Sequence, residues 1–225
     1  MSPPRHSAAF AAAMEDVLAV YARPPDPARP LICVDETGKL LRTHKRPPQG
    51  AVPGRPARQD SEYGRAGDAN IFLACAPHEG WRLVTVTARH TAVDVASLLR
   101  DLAEVHYPHA ARIVLVTDRL NVHAAASLYH AFPPAEARRL AERFEWHYTP
   151  THGSWLNMAE IELSVLTRQC LNRRVPDLPT LASECAAWAQ ERNAAATPIT
   201  WRFTVELARI RLAHVYPELD HGIIA

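Results

Sequence analysis

The chain has 225 residues, of which 48% are hydrophobic and 22% charged, the profile of an ordinary folded globule with a core of its own. Its 25 Lys and Arg nearly cancel its 24 Asp and Glu, so the net charge of +1 excludes a uniformly basic nucleic-acid-wrapping protein and an acidic disordered chain. Any nucleic-acid partner must therefore be met by a local patch. Because the sequence has no apolar run of about 18 residues and no signal-peptide core, we expect a cytoplasmic protein without membrane contact.

The first third of the chain predicts a helix, a short strand and a basic segment. Strong helix formers occupy Ala8–Tyr21, and the prolines that follow end the helix. The apolar residues 31–34 predict a buried strand that ends at an acidic pair. Residues 37–59 are rich in proline, glycine and cations and contain no acid, which indicates a loop or an extended hairpin arm. Its cations are Lys39, Arg42, Lys45, Arg46, Arg55 and Arg58.

The middle of the chain alternates between strand and helix patterns. Residues 70–76 and 81–87 predict two strands, and the four residues between them are short enough for a hairpin. A helix is expected from Thr91 to about residue 107, with Val95, Leu98, Leu99 and Leu102 on its apolar face. Residues 112–117 predict a second buried strand, which runs directly into Asp118.

Helices dominate the remainder. We expect helices at 122–131 and 135–144, a short strand at 145–148, and a helix at about 155–171 that Ser154 caps. Two further helices, at 178–193 and 204–215, complete a single domain. The order of the elements predicts a mixed α/β sheet with helices on both faces.

Two apolar strands each run into an aspartate, at Asp35 and Asp118. Parallel strands gather ligands at their carboxyl ends, so these two carboxylates are expected to lie together. Either one alone is also a common turn former or helix cap. Close carboxylates repel each other unless a cation lies between them, and oxygen-only ligand sets suit Mg²⁺ or Mn²⁺.

A third acid on a following helix would complete a two-metal site, with Glu160 and Glu162 as the candidates. Helical geometry separates their side chains by roughly 200°, so at most one of them faces the site. Periodicity does not choose between them, because both flank the apolar stripe of Leu156, Ala159, Leu163, Leu166 and Cys170.

Three segments, LICVDETGK, VTDRLNVH and YTPTHGSWLNMAEIELSVL, read in this order, resemble the catalytic domain of bacterial insertion-sequence transposases of the Tc/mariner superfamily. The resemblance covers nearly the whole chain, and HGSWLNMAE is its most specific part. It implies a ribonuclease H-like fold with a mixed five-stranded sheet flanked by helices. By motif it also implies a catalytic and metal-binding triad of Asp35, Asp118 and Glu160, which selects Glu160 over Glu162.

The resemblance implies metal-dependent DNA strand cleavage and strand transfer at the ends of an insertion sequence. Two Mg²⁺ ions, for which Mn²⁺ may substitute, would be held with Asp35 bridging both, Asp118 on one and Glu160 on the other. Two departures from the family stand out. Arg119 follows the second aspartate where Asn is usual, and the 41 residues between Asp118 and Glu160 include the segment PPAEARRLAERF, which predicts an extra helix.

Double-stranded DNA, both terminal repeats and target, is the implied partner. The six cations of the basic segment are the primary candidates for phosphate contact, against the alternative of a solvated loop. Arg119 is expected to pair with Asp118 or with a phosphate of the DNA, and His152 and Trp155 of HGSW are expected to position the glutamate helix or a DNA end. Arg168, Arg173 and Arg174 are better explained as cations at a helix C-terminus.

Other chemistries are less well supported. The four cysteines form no Cys-x-x-Cys pair and are expected to be buried hydrophobes: Cys33, Cys75, Cys170 and Cys185. The spacing of His123, His147 and His152 fits no common zinc pattern. Ser154 lacks the G-x-S-x-G setting of a nucleophile, so a capping role is preferred.

Transposases of this family normally carry an N-terminal helix-turn-helix reader, and this chain starts one helix before the first catalytic strand. We therefore keep a second hypothesis, a truncated non-catalytic remnant or a dimerising inhibitor. A homodimer and a separately encoded reader subunit are expected for an active form. A host ribonuclease or resolvase-type nuclease fits the triad but not HGSWLNMAE. The expected division is 1–30 for a helix with its proline-rich lead-in, 31–175 for the catalytic domain with its arm, and 176–225 for C-terminal helices on the same domain.

Overall fold

A computed structural model of the chain describes residues 4–45, 50–56, 62–119 and 124–218. The first helix, α1, spans Ala8–Tyr21 as predicted, and the Ser7 side chain caps it by accepting a hydrogen bond from the Phe10 amide. Among the described residues, no helix is both long enough and apolar enough to cross a membrane.

Five strands form one mixed sheet in the order β3-β2-β1-β4-β5. The strands span Leu31–His44 (β1), Tyr63–Ala76 (β2), Trp81–Thr87 (β3), Ile113–Thr117 (β4) and Phe144–Tyr148 (β5). β1, β2 and β3 form an antiparallel meander, while β4 and β5 run parallel to β1. The mixed α/β sheet expected from the order of the elements is therefore present.

The helices after β3 cover both faces of the sheet. They are α2 (Ala92–Asp101), which continues as a π-helix over Leu102–His106, then α3 (Ala126–Ala131), α4 (Pro134–Ala141), α5 (Met158–Leu166), α6 (Leu178–Ala195) and α7 (Val205–Arg211). A 3₁₀ turn over Ser154–Leu156 precedes α5, a π-helical turn over Thr167–Leu171 extends it, and another 3₁₀ turn spans Ala213–Val215.

Two hydrophobic cores lie on opposite faces of the sheet, because successive strand residues point to opposite sides. Cys33 of β1 and Val116 of β4 belong to the core shared with α1, α5, α6 and α7, which we call the α5 face. Val34 and Leu115 belong to the core shared with α2, α3 and α4, which we call the α2 face. This alternation decides which face each acid near the strand ends occupies.

The prediction that the first strand ends before Asp35 is wrong, since β1 continues to His44. Only its parallel pairing with β4 is short and ends at Cys33↔Val116. On its other side, β1 pairs with β2 as far as His44↔Tyr63, so β2 also begins seven residues earlier than the predicted 70. Of the two alternatives for residues 37–59, the described part therefore forms an extended hairpin arm.

The prediction that Ser154 caps the glutamate helix is also wrong. Ser154 begins the 3₁₀ turn, and α5 begins after Asn157, whose side chain accepts a hydrogen bond from the Ala159 amide. Serine and asparagine both favour helix caps. Because the 3₁₀ turn over Ser154–Leu156 precedes α5, the capping residue is Asn157, three positions after Ser154. The other helices lie within a few residues of their predicted bounds; the predicted start at 122 lies outside the described residues.

Candidate active site

Asp35 and Asp118 occupy equivalent positions at the end of the parallel part of the sheet. Each lies two residues beyond the last β1–β4 pair, Cys33↔Val116. Cys33 and Val116 both contribute to the core of the α5 face. Because side chains two residues apart point to the same side of a strand, both aspartates project toward the α5 face.

Asp35 is buried, with 6% of its surface exposed, and its carboxylate accepts two hydrogen bonds. The Glu36 amide donates to Oδ1 over 2.8 Å, and the Asn157 side-chain amide donates to Oδ2 over 3.1 Å. Burial is the main cause that raises the pKa of Asp35 to about 7; the Glu36 hydrogen bond opposes this rise, and the negative charges of Glu160, Glu36 and Asp118 contribute to it. These electrostatic effects indicate that four carboxylates share this end of the sheet.

Asn157 ties the strand to the glutamate helix, a role that the sequence interpretation missed. Its Nδ2 donates to the Val34 carbonyl over 2.8 Å and to Asp35, while its Oδ1 caps α5 at the Ala159 amide over 3.1 Å. The residue is fully buried. One amide therefore fixes the start of α5 relative to Asp35. An Asn directly before a helix pattern was the available signal, and Ser154 obscured it.

Glu160 lies in the first turn of α5, partly buried, and its carboxylate is hydrogen-bonded to the side chain of Ser154. Burial raises its pKa despite that hydrogen bond, and Asp118 and Glu36 raise it further. The charge of Glu160 therefore interacts with the charges of the two aspartates. Ser154 contacts this acid and does not cap the helix.

Glu162 has a different environment, two residues further along the same helix. It is 1% exposed, and the Arg82 guanidinium donates to both of its oxygens over 2.8 and 2.9 Å. Arg192 adds contacts of 3.1 and 3.3 Å. Burial opposes ionisation, but these arginines outweigh it and lower the pKa of Glu162. The structure thus separates the two glutamates that periodicity left open.

Glu36 is a fourth acid, on the α2 face, that the sequence interpretation did not assign. Its Oε1 lies 3.2 Å from Nε2 of His90, and the His90 ring stacks on Phe72 with the ring centroids 5.4 Å apart. Glu36 raises the pKa of both Asp35 and Glu160, so its negative charge interacts with these acids on the α5 face.

The donor set fits a hard divalent cation. Asp35, Asp118 and Glu160 supply carboxylate oxygens only, and their mutual repulsion is the kind that a cation relieves. No group of three or more His, Cys, Asp or Glu in the described parts is arranged to hold one ion. Asp35, Asp118 and Glu160 are the residues that would hold a metal ion here.

Three further predicted site residues are close to these acids in sequence but lie at two separate positions in the structure: Arg119, His152 and Trp155. Arg119 and His152 line one cavity of about 170 Å³, together with Phe10 and Pro150, and the Arg119 guanidinium lies 5.9 Å from the Tyr148 ring centroid. Trp155, 38% exposed, contacts Phe203 with ring centroids 5.7 Å apart.

His152 has a left-handed backbone with φ of 66°, an uncommon conformation for a residue with a side chain. Gly153 follows it, donates its amide to the Pro150 carbonyl over 2.8 Å, and has no room for a Cβ beside the Pro150 ring. The HGSW motif is therefore a tight turn that leads from β5 into the glutamate helix.

The described cations of the basic arm lie in different local structures and do not share one loop. Lys39 and Arg42 belong to β1 itself, and Lys45 pairs over 3.1 Å with Glu62, just before β2, so acids from beyond residue 59 do reach the arm. Arg55 is exposed in an isolated bridge with Val52. The predicted Arg46 and Arg58 lie outside the described residues.

The residues considered for other chemistry have structural explanations. All four cysteines are free thiols and buried, as expected. His147 is held between Asp16 and Glu145, at 2.7 and 3.1 Å, and no zinc-type group occurs in the described parts. His123 lies outside those parts. The Arg173 Nε donates to the Cys170 carbonyl over 3.2 Å, as expected of a cation at a helix C-terminus.

In a comparison with protein families, residues 30–182 match the model described as DDE superfamily endonuclease. No curated protein matches the chain.

Solved structures of a mariner transposase, Mos1, share the fold. They include the Mos1 mariner paired end complex with Mn, at 15% identity and a TM-score of 0.55 over 88% of this chain and 61% of that one. The Mos1 Strand Transfer Complex matches at 14% identity and 0.56, over 84% and 56%. The Mos1 transposase paired-end complex with left transposon end matches at 15% and 0.56, over 97% and 66%.

At this level of identity the likeness establishes the fold, and the predicted ribonuclease H-like sheet is confirmed. The chain spans less than two thirds of the length of these matched transposase chains.

Proposed function

The chain belongs to the DDE superfamily of endonucleases, and from this membership we propose that it is a transposase catalytic domain that cleaves and joins DNA strands at the ends of an insertion sequence. The observation that carries the proposal is the electrostatic coupling of Asp35, Asp118 and Glu160 at the end of the parallel strands. Asp35 belongs to β1, Asp118 follows β4 and Glu160 belongs to α5, and Asn157 ties the start of α5 to Asp35, which supports the roles that the motifs imply.

The proposed cofactor is Mg²⁺, two ions, with Mn²⁺ able to replace it. Asp35, Asp118 and Glu160 would hold these ions. When bound, such ions activate a water and stabilise charge on the phosphate oxygens. The transposase neighbours were solved with Mn and with Mg, which supports the choice of metal.

The side chains of the site have separate tasks in this mechanism. Asn157 and the Glu36 amide hold both oxygens of Asp35, so that its carboxylate is oriented before substrate arrives. Ser154 orients Glu160 through a hydrogen bond. Water or a 3′-hydroxyl then attacks the phosphodiester in line, the leaving 3′ oxygen departs, and no covalent protein intermediate is needed.

The proposed partners are the terminal repeats and the target DNA, both double-stranded. The described cations of the arm, together with Arg119, His152 and Trp155, are proposed to contact them. The same proposal includes a homodimer, a separately encoded helix-turn-helix subunit and a cytoplasmic location. It also includes the division of the chain after residues 30 and 175. The neighbouring structures are paired-end complexes with DNA, which supports the DNA partner.

The second candidate is a non-catalytic remnant or dimerising inhibitor. Retention of all three acids, one buried and two partly buried, with charges that raise each other's pKa, argues for catalysis, because a chain without that function has no reason to keep this repulsion.

A cleavage assay separates the two candidates. Duplexes that end in the inverted repeats flanking the coding sequence are incubated with the chain and Mg²⁺, with and without a reader protein in trans. We expect cleavage that requires Mg²⁺ and that Asp35→Asn abolishes. Asp101→Asn, an exposed acid on the α2 side, is the matched control and should cleave normally. Absence of metal-dependent cleavage even with the reader supports the remnant, and full activity of Asp35→Asn refutes the triad.

A further inference from the structure

A strongly basic pocket lies between β1 and the π-helical end of α5, further along β1 than the acids. It encloses about 480 Å³. Its lining consists of Lys39, Leu40, Arg42, Leu171, Asn172, Arg173 and Arg174. Four of these seven residues are cations drawn from two distant parts of the chain, whereas the sequence suggested two unrelated groups.

Cations of opposite parity on β1 line the same pocket. Strict alternation would place Lys39 and Arg42 on opposite faces of β1. Both nevertheless line the pocket, next to a register shift at which β2 has one extra residue, because Leu41 pairs with Gly67 and Arg42 pairs with Arg65. Positive charge is thereby concentrated at one point.

Tethers and stacking hold the cations in place. Lys39 Nζ donates to the carbonyls of Leu171 and Arg173 over 2.5 and 3.2 Å, which joins β1 to the turn after α5. The guanidiniums of Arg42 and Arg174 lie 4.3 and 5.8 Å from the centroid of the Tyr63 ring. Their planar donor groups are therefore preorganised, as two-point recognition of a phosphate requires.

The charge in the pocket is incompletely balanced by the protein. Arg173 pairs with Glu184 over 2.5 Å, but Lys39 and Arg42 form no ion pair within the described parts of the chain. The Nε of Arg42 is buried there without a hydrogen-bond acceptor. Burial, together with the charges of Arg42 and Arg173, lowers the pKa of Lys39. An anion in the pocket would relieve this repulsion.

The pocket lies at a defined distance from the acids along the same strand. At about 3.3 Å per strand residue, Lys39 is about 13 Å and Arg42 about 23 Å beyond Asp35. Phosphates along one strand of a duplex advance about 3.4 Å per step. We propose that this pocket, with Arg42 and Arg174 as its principal donors, grips a DNA backbone phosphate about four to seven steps from the phosphodiester at the acids. This inference rests on the proposed function for its choice of DNA as the anion.

The test measures DNA binding without catalysis. Full-length chain is titrated with an arbitrary 30-base-pair duplex in EDTA over a series of salt concentrations, and the double variant Arg42→Gln/Arg174→Gln is compared with wild type. Loss of one phosphate contact should make the slope of log affinity against log salt shallower by about 0.9. Lys39 is left intact because it tethers the backbone, and melting temperatures check the fold of each variant.

The matched control is Arg138→Gln/Arg139→Gln. It removes two exposed cations of α4, which packs on the α2 face. We expect its slope to equal that of wild type. An unchanged slope in the pocket variant, or an equal loss in the control, overturns the pocket as a phosphate site.

A second measurement tests the placement. In a terminal-repeat duplex, a neutral methylphosphonate four to seven steps from the cleavage point should weaken binding by wild type but not by the pocket variant. Equal weakening of both overturns the placement. A wild-type chain that shows the expected slopes but never cleaves contradicts the catalytic proposal alone, whereas one that cleaves with pocket-independent slopes contradicts only the pocket.

Discussion

Replacing Arg82 by methionine tests how the glutamate helix is held. The side chains of Arg82 and Glu162 are 1% and 2% exposed, and Arg82 donates to both oxygens of Glu162 and to the carbonyls of Gly80 and Thr197. Removing one partner of a buried ion pair typically costs about 3–5 kcal/mol, because the other charge stays buried. Arg192, still 3.1 Å from Glu162, compensates in part, so we expect a loss of about 3 kcal/mol.

Urea unfolding at pH 7 measures the loss, and two variants make it interpretable. Arg82→Met/Glu162→Met removes both charges and should recover most of the stability, to within about 1–2 kcal/mol of wild type. Arg138→Met breaks an exposed pair, 70% and 58% exposed, and should cost less than about 1 kcal/mol. A single-variant loss below 1 kcal/mol, or a double variant as unstable as the single, would refute the reasoning.

Three further predictions concern the site and its surroundings. Asn157→Ala removes a helix cap and the link to Asp35, so it should lower the free energy of unfolding in urea by about 2 kcal/mol. It should also slow cleavage more than it weakens DNA binding, and equal effects on cleavage and binding would contradict this prediction. Asp35→Asn should stabilise the metal-free protein by up to about 4 kcal/mol at pH 8 and by nothing at pH 3. Because folding raises the pKa of this carboxyl from 3.8 to about 7, the free energy of unfolding of the wild-type protein falls as the pH rises through that range. A free energy of unfolding that does not change with pH in wild type would contradict this prediction. At Glu145, burial opposes ionisation, but hydrogen bonds from Arg23, His147 and Arg29 lower the pKa from 4.5 to about 2, so its stabilisation is present above pH 4.5 and lost toward pH 2. Glu145→Gln should therefore cost up to about 3 kcal/mol at pH 7 but nothing at pH 2, as a urea series over pH would report.

Elements bounded by local signals were predictable from the sequence. The bounds of α1 and β3 match the predicted ones, because Ser7 and the prolines bracket the first and the turn at Gly80 precedes the second. The extent of β1 was not predictable, since residues 37–44 are strand only through their pairing with β2. Local composition there indicates a loop, and tertiary pairing overrides it.

The site shows the same division. Asp35 and Asp118 follow apolar strands, so their proximity could be predicted from topology. The choice of Glu160 over Glu162 depended on a motif, because the contacts that distinguish their environments come from distant parts of the chain, such as Arg82, 80 residues before Glu162. The basic pocket was missed because its cations come from β1 and from a turn about 130 residues further on, which have no joint signature in the sequence.

The most direct test of the central claim is the rate of Mg²⁺-dependent cleavage of a terminal-repeat duplex by wild type and by Asp35→Asn, Asp118→Asn and Glu160→Gln, with the reader supplied. If the three acids form one metal-dependent site, each substitution should slow cleavage by about 10³-fold or more, because each removes several kcal/mol of charge stabilisation. DNA binding should be unchanged, and Asp101→Asn should cleave like wild type. Cleavage at the wild-type rate by any one of the three variants would contradict the account.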